Sequence, residues 1–339
     1  MENLENKALF DKMIKNVNAQ NLEAPFSVAF TVTRKCNYLC RHCYNNSGAN
    51  VTDEMTDDEL IDVAHQIAEL HPTDVCLCGG EPLIRGDVIY KIIDILIKDV
   101  GSVNIVSNGF LIDLDTSKKL KEHGINTLQI SLDGNTDFLH NFMRMNSKAF
   151  SRAISAIKNG VESGLNVAVS CCPNKLNINH IEEICELTNS LGATEIRLMP
   201  LILMGRGSQM EMFQPSADEY LILQQKVKQL NDKYTRMTVE WGDPVDHLFR
   251  MPSNGEKNIT SFSMEIRSNG KISISSYLPI VVGDVRQHTL KEYWNAGFNH
   301  IWSNKKILKL IDGIYSTSQI SNYNPMAYTG KDIEVLIPV

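Results

Sequence analysis

The chain has no excess of positive charge: 33 Lys and Arg stand against 40 Asp and Glu, for a formal net charge of −7 and a pI near 5.7. That balance leaves no electrostatic footprint for a phosphate backbone or an anionic bilayer, so nucleic acid and membrane surfaces are not expected partners. No apolar run approaches the ~20 residues of a spanning helix. The N-terminal MENLENKALFDKMIKNVNAQ carries acidic residues at once and no apolar stretch ahead of a cleavage site, so no secretory signal is read and a cytoplasmic setting is expected. Low-complexity tracts and long linkers are missing as well. Cysteine is missing beyond Cys185, although the chain has eight. In a long chain without a secretory signal these do not read as a disulfide framework, and their clustering needs another cause.

What is present is an alternation. Short β-rich runs at 27–32, 74–78, 102–106, 127–132, 166–171 and 195–199 are separated by helical patterns at 56–70, 88–97, 117–123, 150–163 and 178–191. Asp57, Asp58 and Glu59 fall in a first helical turn, where acids complement the dipole, and Gly164 and Gly192 stand at helix ends. Six strands spaced as βα units predict an α/β fold, a partial (β/α)6 TIM-like barrel open on one side with its chemistry at the C-terminal strand ends. After Gly205-Arg206-Gly207 the pattern changes to one helix at 217–234 and short strands at 264–266 and 271–275. The expected organisation is a helical lead-in over 1–25, a core barrel over 26–214 and a small α+β extension over 215–339.

The strongest local signal is Cys36-Asn37-Tyr38-Leu39-Cys40-Arg41-His42-Cys43, directly after the first strand. Three closely spaced thiolates can occupy three irons of a cubane and leave the fourth iron open. Cys40-Arg41-His42-Cys43 alone would also serve as half of a zinc knuckle, so the cysteines by themselves leave a zinc-binding interaction protein as an alternative.

The spacing Cys-x3-Cys-x2-Cys at a strand end resembles the signature of the radical S-adenosylmethionine (radical SAM) superfamily. Gly79-Gly80-Glu81-Pro82, one βα unit later, is similar to that superfamily's motif for the methionine amino group. Its glycines permit close backbone approach, and Glu81 could accept from an ammonium. Ser107-Asn108 and Ser131-Leu132-Asp133 match positions near the nucleoside; Ser131 and Asp133 share a strand face and could converge on ribose hydroxyls. Arg144 resembles an arginine directed at the methionine carboxylate, and Leu198 lies in a segment similar to the sixth-strand motif near adenine. The likeness runs from Phe26 to Gly207.

The resemblance implies one 4Fe-4S cluster on Cys36, Cys40 and Cys43, with S-adenosyl-L-methionine chelating the open iron and cleaved reductively to a 5′-deoxyadenosyl radical that abstracts hydrogen from a substrate. Cys78, Cys171 and Cys172 are candidate hydrogen donors, against the ordinary fate of cysteine as a small core residue. The hairpin from Met264 to Ser275 and the following Gly283 to Trp294 resemble the SPASM extension of peptide maturases. Ser275, Ser276 and Tyr277 stand where such members carry a cysteine, so an auxiliary cluster on C-terminal cysteines is excluded. The implied substrate is a ribosomally made peptide, modified by epimerisation or crosslinking, with a small molecule or tetrapyrrole side chain as the alternative. The implied partners are a flavodoxin- or ferredoxin-type electron donor and a separate leader-peptide-binding protein.

Overall fold

The computed structural model describes residues 22–48, 51–242, 262–311 and 332–339. The helical lead-in expected over 1–25 therefore lies almost wholly outside the described residues.

Strands β1 (Ser27–Thr33), β2 (Asp74–Gly79), β3 (Ser102–Ser107), β4 (Thr127–Ser131), β5 (Asn166–Cys171) and β6 (Glu195–Leu198) lie side by side in sequence order, all parallel. Helices α1 (Asp57–Leu70), α2 (Asp87–Leu96), α3 (Leu114–Glu122), α4 (Asp137–Arg144), α5 (Ala149–Glu162) and α6 (Ile181–Ser190) occupy the connections. The reason is visible in the period-2 pattern. Val28, Phe30, Val75, Leu77, Leu128, Ile130, Ile196 and Leu198 are buried in the main apolar core, whereas the alternate Ala29, Cys76, Cys78, Gln129, Ser131, Ser170 and Arg197 face an interior cavity. Each helix buries a complementary stripe, as α1 does with Leu60, Val63, Ala64 and Ile67. It starts at a capping box in which Thr56 Oγ1 accepts from Glu59 N at 3.3 Å and Glu59 Oε2 accepts from Thr56 N at 2.7 Å.

The sheet runs past the six expected strands on both sides. Helix α7 (Ala217–Lys233) leads to β7 (Thr238–Trp241), which pairs parallel to β6. The outer edge of β7 is blunted by Asn231, whose side chain accepts from Val239 N at 2.7 Å and donates to Val239 O at 2.6 Å. On the other side β8 (Ser263–Ile266) pairs parallel to β1, with Ser27 opposite Ser263 and Phe30 opposite Ile266. β8 and β9 (Lys271–Ser273) form the expected antiparallel hairpin, and β10 (Ile280–Asp284) and β11 (Ile333–Glu334) extend it. The result is one open eleven-stranded sheet, order β11-β10-β9-β8-β1-β2-β3-β4-β5-β6-β7. Helix α8 (Leu290–Ala296) packs on it through Tyr293, whose hydroxyl accepts from Asp284 N at 3.1 Å; α9 (Lys305–Ile311) follows.

Arg267, fully buried, holds the turn after β9. It donates to Asp332 Oδ1 at 2.8 Å, Ser273 Oγ at 3.0 Å and Leu278 O at 3.2 Å. That clamp fixes the segment carrying Ser276 and Tyr277 against the barrel interior.

Candidate active site

The cysteine loop leaves β1 and is stitched to its surroundings by backbone hydrogen bonds: Cys36 N to Gly48 O (3.0 Å), Arg41 N to Met143 O (2.9 Å), Gly80 N to Thr33 O (2.7 Å) and Glu81 N to Lys35 O (3.0 Å). The last two require glycine. A Cβ on Gly79 would meet Thr33 O at 2.1 Å, and one on Gly80 would meet Lys35 O at 2.2 Å. The paired glycines thus serve first to let the end of β2 lie against the cysteine loop.

Each loop thiol has an N–H aimed at it. Tyr38 N donates to Cys36 Sγ at 3.4 Å and Ser47 N to Cys43 Sγ at 3.3 Å. Asn108 Nδ2 lies 3.7 Å from Cys36 Sγ, and Arg144 Nη1 lies 3.9 Å from Cys40 Sγ. Donors so placed favour thiolate and tune a bound cluster. Burial meanwhile pushes Cys36 up to about 11 and Cys40 in the same direction, so metal loading must displace protons. Among the described residues no three His, Cys, Asp or Glu side chains are grouped to hold one metal ion. A cubane gives each thiolate its own iron, so three thiols suffice for it, whereas a structural zinc ion needs four donors around one centre.

The three cysteines open onto a cavity of about 450 Å³. Gly79, Gly80, Ser107, Asn108, Ser131, Asp133 and Arg144 line it, as do Cys78, Cys171 and Cys172. Three expected contacts stand behind its wall. Leu198 is fully buried and points to the apolar core; its neighbours Arg197 and Met199 face the cavity instead, because one step along a strand changes the face. Pro82 begins a short 3₁₀ turn and is buried outside the cavity. Glu81 is fully buried and does not line the cavity. Its carboxylate accepts from Ser107 Oγ at 3.0 Å, Asn108 N at 2.8 Å and Leu83 N at 3.4 Å, and burial lifts its pKa to about 7. It sets the turn that carries Ser107 and Asn108.

Asp133 and Arg144 meet each other rather than standing apart. Asp133 Oδ2 is 2.7 Å from Arg144 Nε and 3.7 Å from His42 Nε2, and Oδ1 accepts from Cys172 N at 3.0 Å. Burial pushes Asp133 up, but the Arg144 guanidinium, joined in acid by the His42 and His140 rings, outweighs it and holds the carboxyl down at about 2. The same burial holds His42 down at about 4, so its ring is neutral. This buried pair locks Arg144 against Cys40.

Gln129, Ser170, Arg197, Ser276 and Tyr277 also line the cavity, and the sequence reading gave none of them a place in it. Arg197 lies 3.2 Å from Glu240. The Tyr277 ring is tilted against Tyr44, 5.2 Å between centroids, next to Cys43. The signal available was strand alternation for the first three residues; Tyr277, which arrives from the hairpin, had only its place where relatives carry a cysteine. The buried His42 Nδ1, Asn45 Oδ1 and Ser47 Oγ around the cavity have no hydrogen-bond partner among the described residues, as groups awaiting a polar ligand do.

Residues 30–188 match the Radical SAM superfamily. The match spans just under half of the chain and identifies that segment as a radical SAM domain. The chain is an enzyme of that class, whose cofactors are a 4Fe-4S cluster and S-adenosylmethionine; the thiol set, its N–H donors and the unpartnered polar atoms fit both. The radical SAM chain is 27% identical over 290 residues to "AdoMet-dependent heme synthase" of Methanosarcina barkeri, covering 80% of this chain and 82% of that one. It is 26% identical over 236 residues to "Mycofactocin maturase MftC" of Mycobacterium ulcerans, covering 69% of this chain but 62% of the maturase, less than two thirds of it. In fold it resembles Streptococcus suis SuiB bound to S-adenosylmethionine, with a TM-score of 0.67 at 17% identity, covering 91% of this chain and 75% of that one. Among the described residues no helix is long and apolar enough to cross a membrane.

Proposed function

We propose that this radical SAM enzyme modifies a peptide, holding one side chain in the barrel. The observation that carries this reading is the size of the cavity. About 450 Å³ must contain the cluster, S-adenosylmethionine and the reacting part of the substrate, which suits an inserted side chain better than a tetrapyrrole disc. The maturase relative supports it. A tetrapyrrole side chain is the second reading, favoured by the heme synthase, which aligns over more of both chains.

In this reading residues 26–214 form the catalytic core and 215–339 shape the substrate side. Cys36, Cys40 and Cys43 hold the cluster. Gly79, Gly80, Ser107, Asn108 and Ser131 cradle S-adenosylmethionine, while the Asp133–Arg144 pair keeps its binding wall rigid. When bound, the two cofactors supply a carbon-centred radical that removes a hydrogen atom from substrate. Burial pushes the Cys171 and Cys172 thiols up and keeps them protonated, so each retains an S–H to return, and Cys78 lies beside Thr31 Oγ1 at 3.6 Å. Gln129, Ser170, Arg197 and Tyr277 face the substrate. A separate electron donor and a leader-binding partner complete the system.

The test is anaerobic reconstitution with iron and sulfide, then dithionite and S-adenosylmethionine. About four irons per chain, with 5′-deoxyadenosine formation lost in Cys40→Ala, is expected. Turnover is then compared with a short peptide encoded beside the gene and with iron coproporphyrin. Stimulation by the porphyrin alone would overturn the peptide reading.

A further inference from the structure

We infer that Arg206 is a positioning residue of the cysteine loop: it straps the loop down and, by a charge that no carboxylate cancels, biases the cluster toward its reduced state. The inference rests on the cluster assignment proposed above. The turn Gly205-Arg206-Gly207 follows β6 and lies hard against the loop. A Cβ on Gly205 would strike Cys43 O and Tyr44 O, and one on Gly207 would press on His42 O at 3.3 Å. Between the two glycines, Arg206 N donates to Cys43 O at 3.0 Å and Arg206 Nε to Cys40 O at 2.9 Å, while Nη1 donates to Asn46 Oδ1 at 3.2 Å. One side chain, 166 positions from Cys40 in the sequence, thus belongs to a residue that holds the carbonyls of two of the three loop cysteines.

Three arginines line the cavity. Arg144 is taken by Asp133, the one carboxylate among the lining residues, and Arg197 by Glu240 at 3.2 Å. Arg206 has no carboxylate partner among the described residues. No Asp or Glu occurs from Arg34 to Gly48 or from Ile196 to Met210. Carbonyl and amide oxygens satisfy its N–H groups and leave its charge whole. That charge is felt in the loop: burial, opposed by Asp133 and helped by Arg144 and Arg206, holds His42 down at about 4. A cluster gains one negative charge when a one-electron reductant reduces it, and no protein bond forms or breaks. A fixed positive charge beside its ligands therefore favours the reduced form, and half-burial limits the screening.

The experiment poises the anaerobically reconstituted enzyme at one potential with dithionite and mediator dyes, and counts reduced cluster per iron by electron paramagnetic resonance. Wild type is compared with Arg206→Gln, which removes the charge, with Arg206→Lys, which keeps it, and with Asn46→Asp, which cancels it in place. Aspartate tolerates the left-handed backbone of Asn46, φ 51°. We expect the reduced-to-oxidised ratio to fall about three- to tenfold in Arg206→Gln and Asn46→Asp, which is roughly 30–60 mV for a one-electron couple. Arg206→Lys should keep most of the wild-type ratio although it loses the fork to Cys40 O. An unchanged ratio in Arg206→Gln or Asn46→Asp overturns the inference. So does a fall in Arg206→Lys as large as in Arg206→Gln, which would make the hydrogen bonds the cause rather than the charge. If Arg206→Gln binds too little iron to read, Asn46→Asp against Arg206→Lys carries the comparison. Absence of any cluster signal in wild type sinks the cluster assignment instead. The strap is then judged on the iron-free chain, where Arg206→Gln should melt earlier than wild type and an equal melting temperature overturns it.

Discussion

Replacing Glu81 by Gln should flatten the pH dependence of stability. The wild-type carboxyl lies fully buried beneath the Ser107-Asn108 turn, and burial moves its pKa from 4.5 to about 7. The folded chain therefore holds this proton more tightly than the unfolded chain does. The contribution is complete below about pH 4.5 and is lost as pH rises through about 7, beyond which it stays lost. At about 1.4 kcal/mol per pH unit, the 4.5-to-7 displacement corresponds to roughly 3 kcal/mol. Urea unfolding at pH 5, 6, 7 and 8 reads it as the difference between the two proteins, so the other titrating groups cancel. The variant loses some stability at every pH, since its amide N–H₂ faces donors that Glu81 accepted from, but its profile should lack that fall. Parallel profiles for wild type and Glu81→Gln would refute the burial argument and return Glu81 to a hydrated, cavity-facing position.

Two further substitutions probe the framework. Gly80→Ala forces a Cβ to within 2.2 Å of Lys35 O and breaks the two hydrogen bonds joining β2 to the cysteine loop. It should cost about 2 kcal/mol or more and lower iron bound per chain, whereas Gly164→Ala, strained by its φ of +76° but with open space around it, should cost stability and leave iron content unchanged. Arg267→Ala strands the partly buried Asp332 and should cost about 3–5 kcal/mol, seen as a lower melting temperature, with part recovered in Arg267→Ala/Asp332→Ala.

The first six strands and the helices between them, apart from α4 over Asp137–Arg144, were legible because both faces of each strand have different work. Apolar residues at one parity meet the helices; thiols, hydroxyls and amides at the other parity meet the cavity. β7 was missed because Thr238-Val239-Glu240-Trp241 is four residues long and half polar. Its place is set by Asn231 and β6 rather than by its own composition. The cysteine loop and the glycine pair were legible as motifs, but the work of Glu81 was not, since a motif does not show which way a carboxylate turns. Leu198 was one residue from the cavity-facing position, and a shift of one changes the face. Tyr277 could be read only as the residue standing where relatives keep a cysteine. That it reaches Tyr44 depends on the Arg267 clamp, which joins parts of the chain with no local signal between them.

The pairing of β8 with β1 governs how this protein comes into being. The strand from which the cysteine loop hangs acquires its second neighbour only when Ser263 to Ile266 have been synthesised. Until most of the chain has left the ribosome, β1 presents a bare edge beside the three loop cysteines. A product truncated before Ser263 is left with an edge ready to pair with its neighbours.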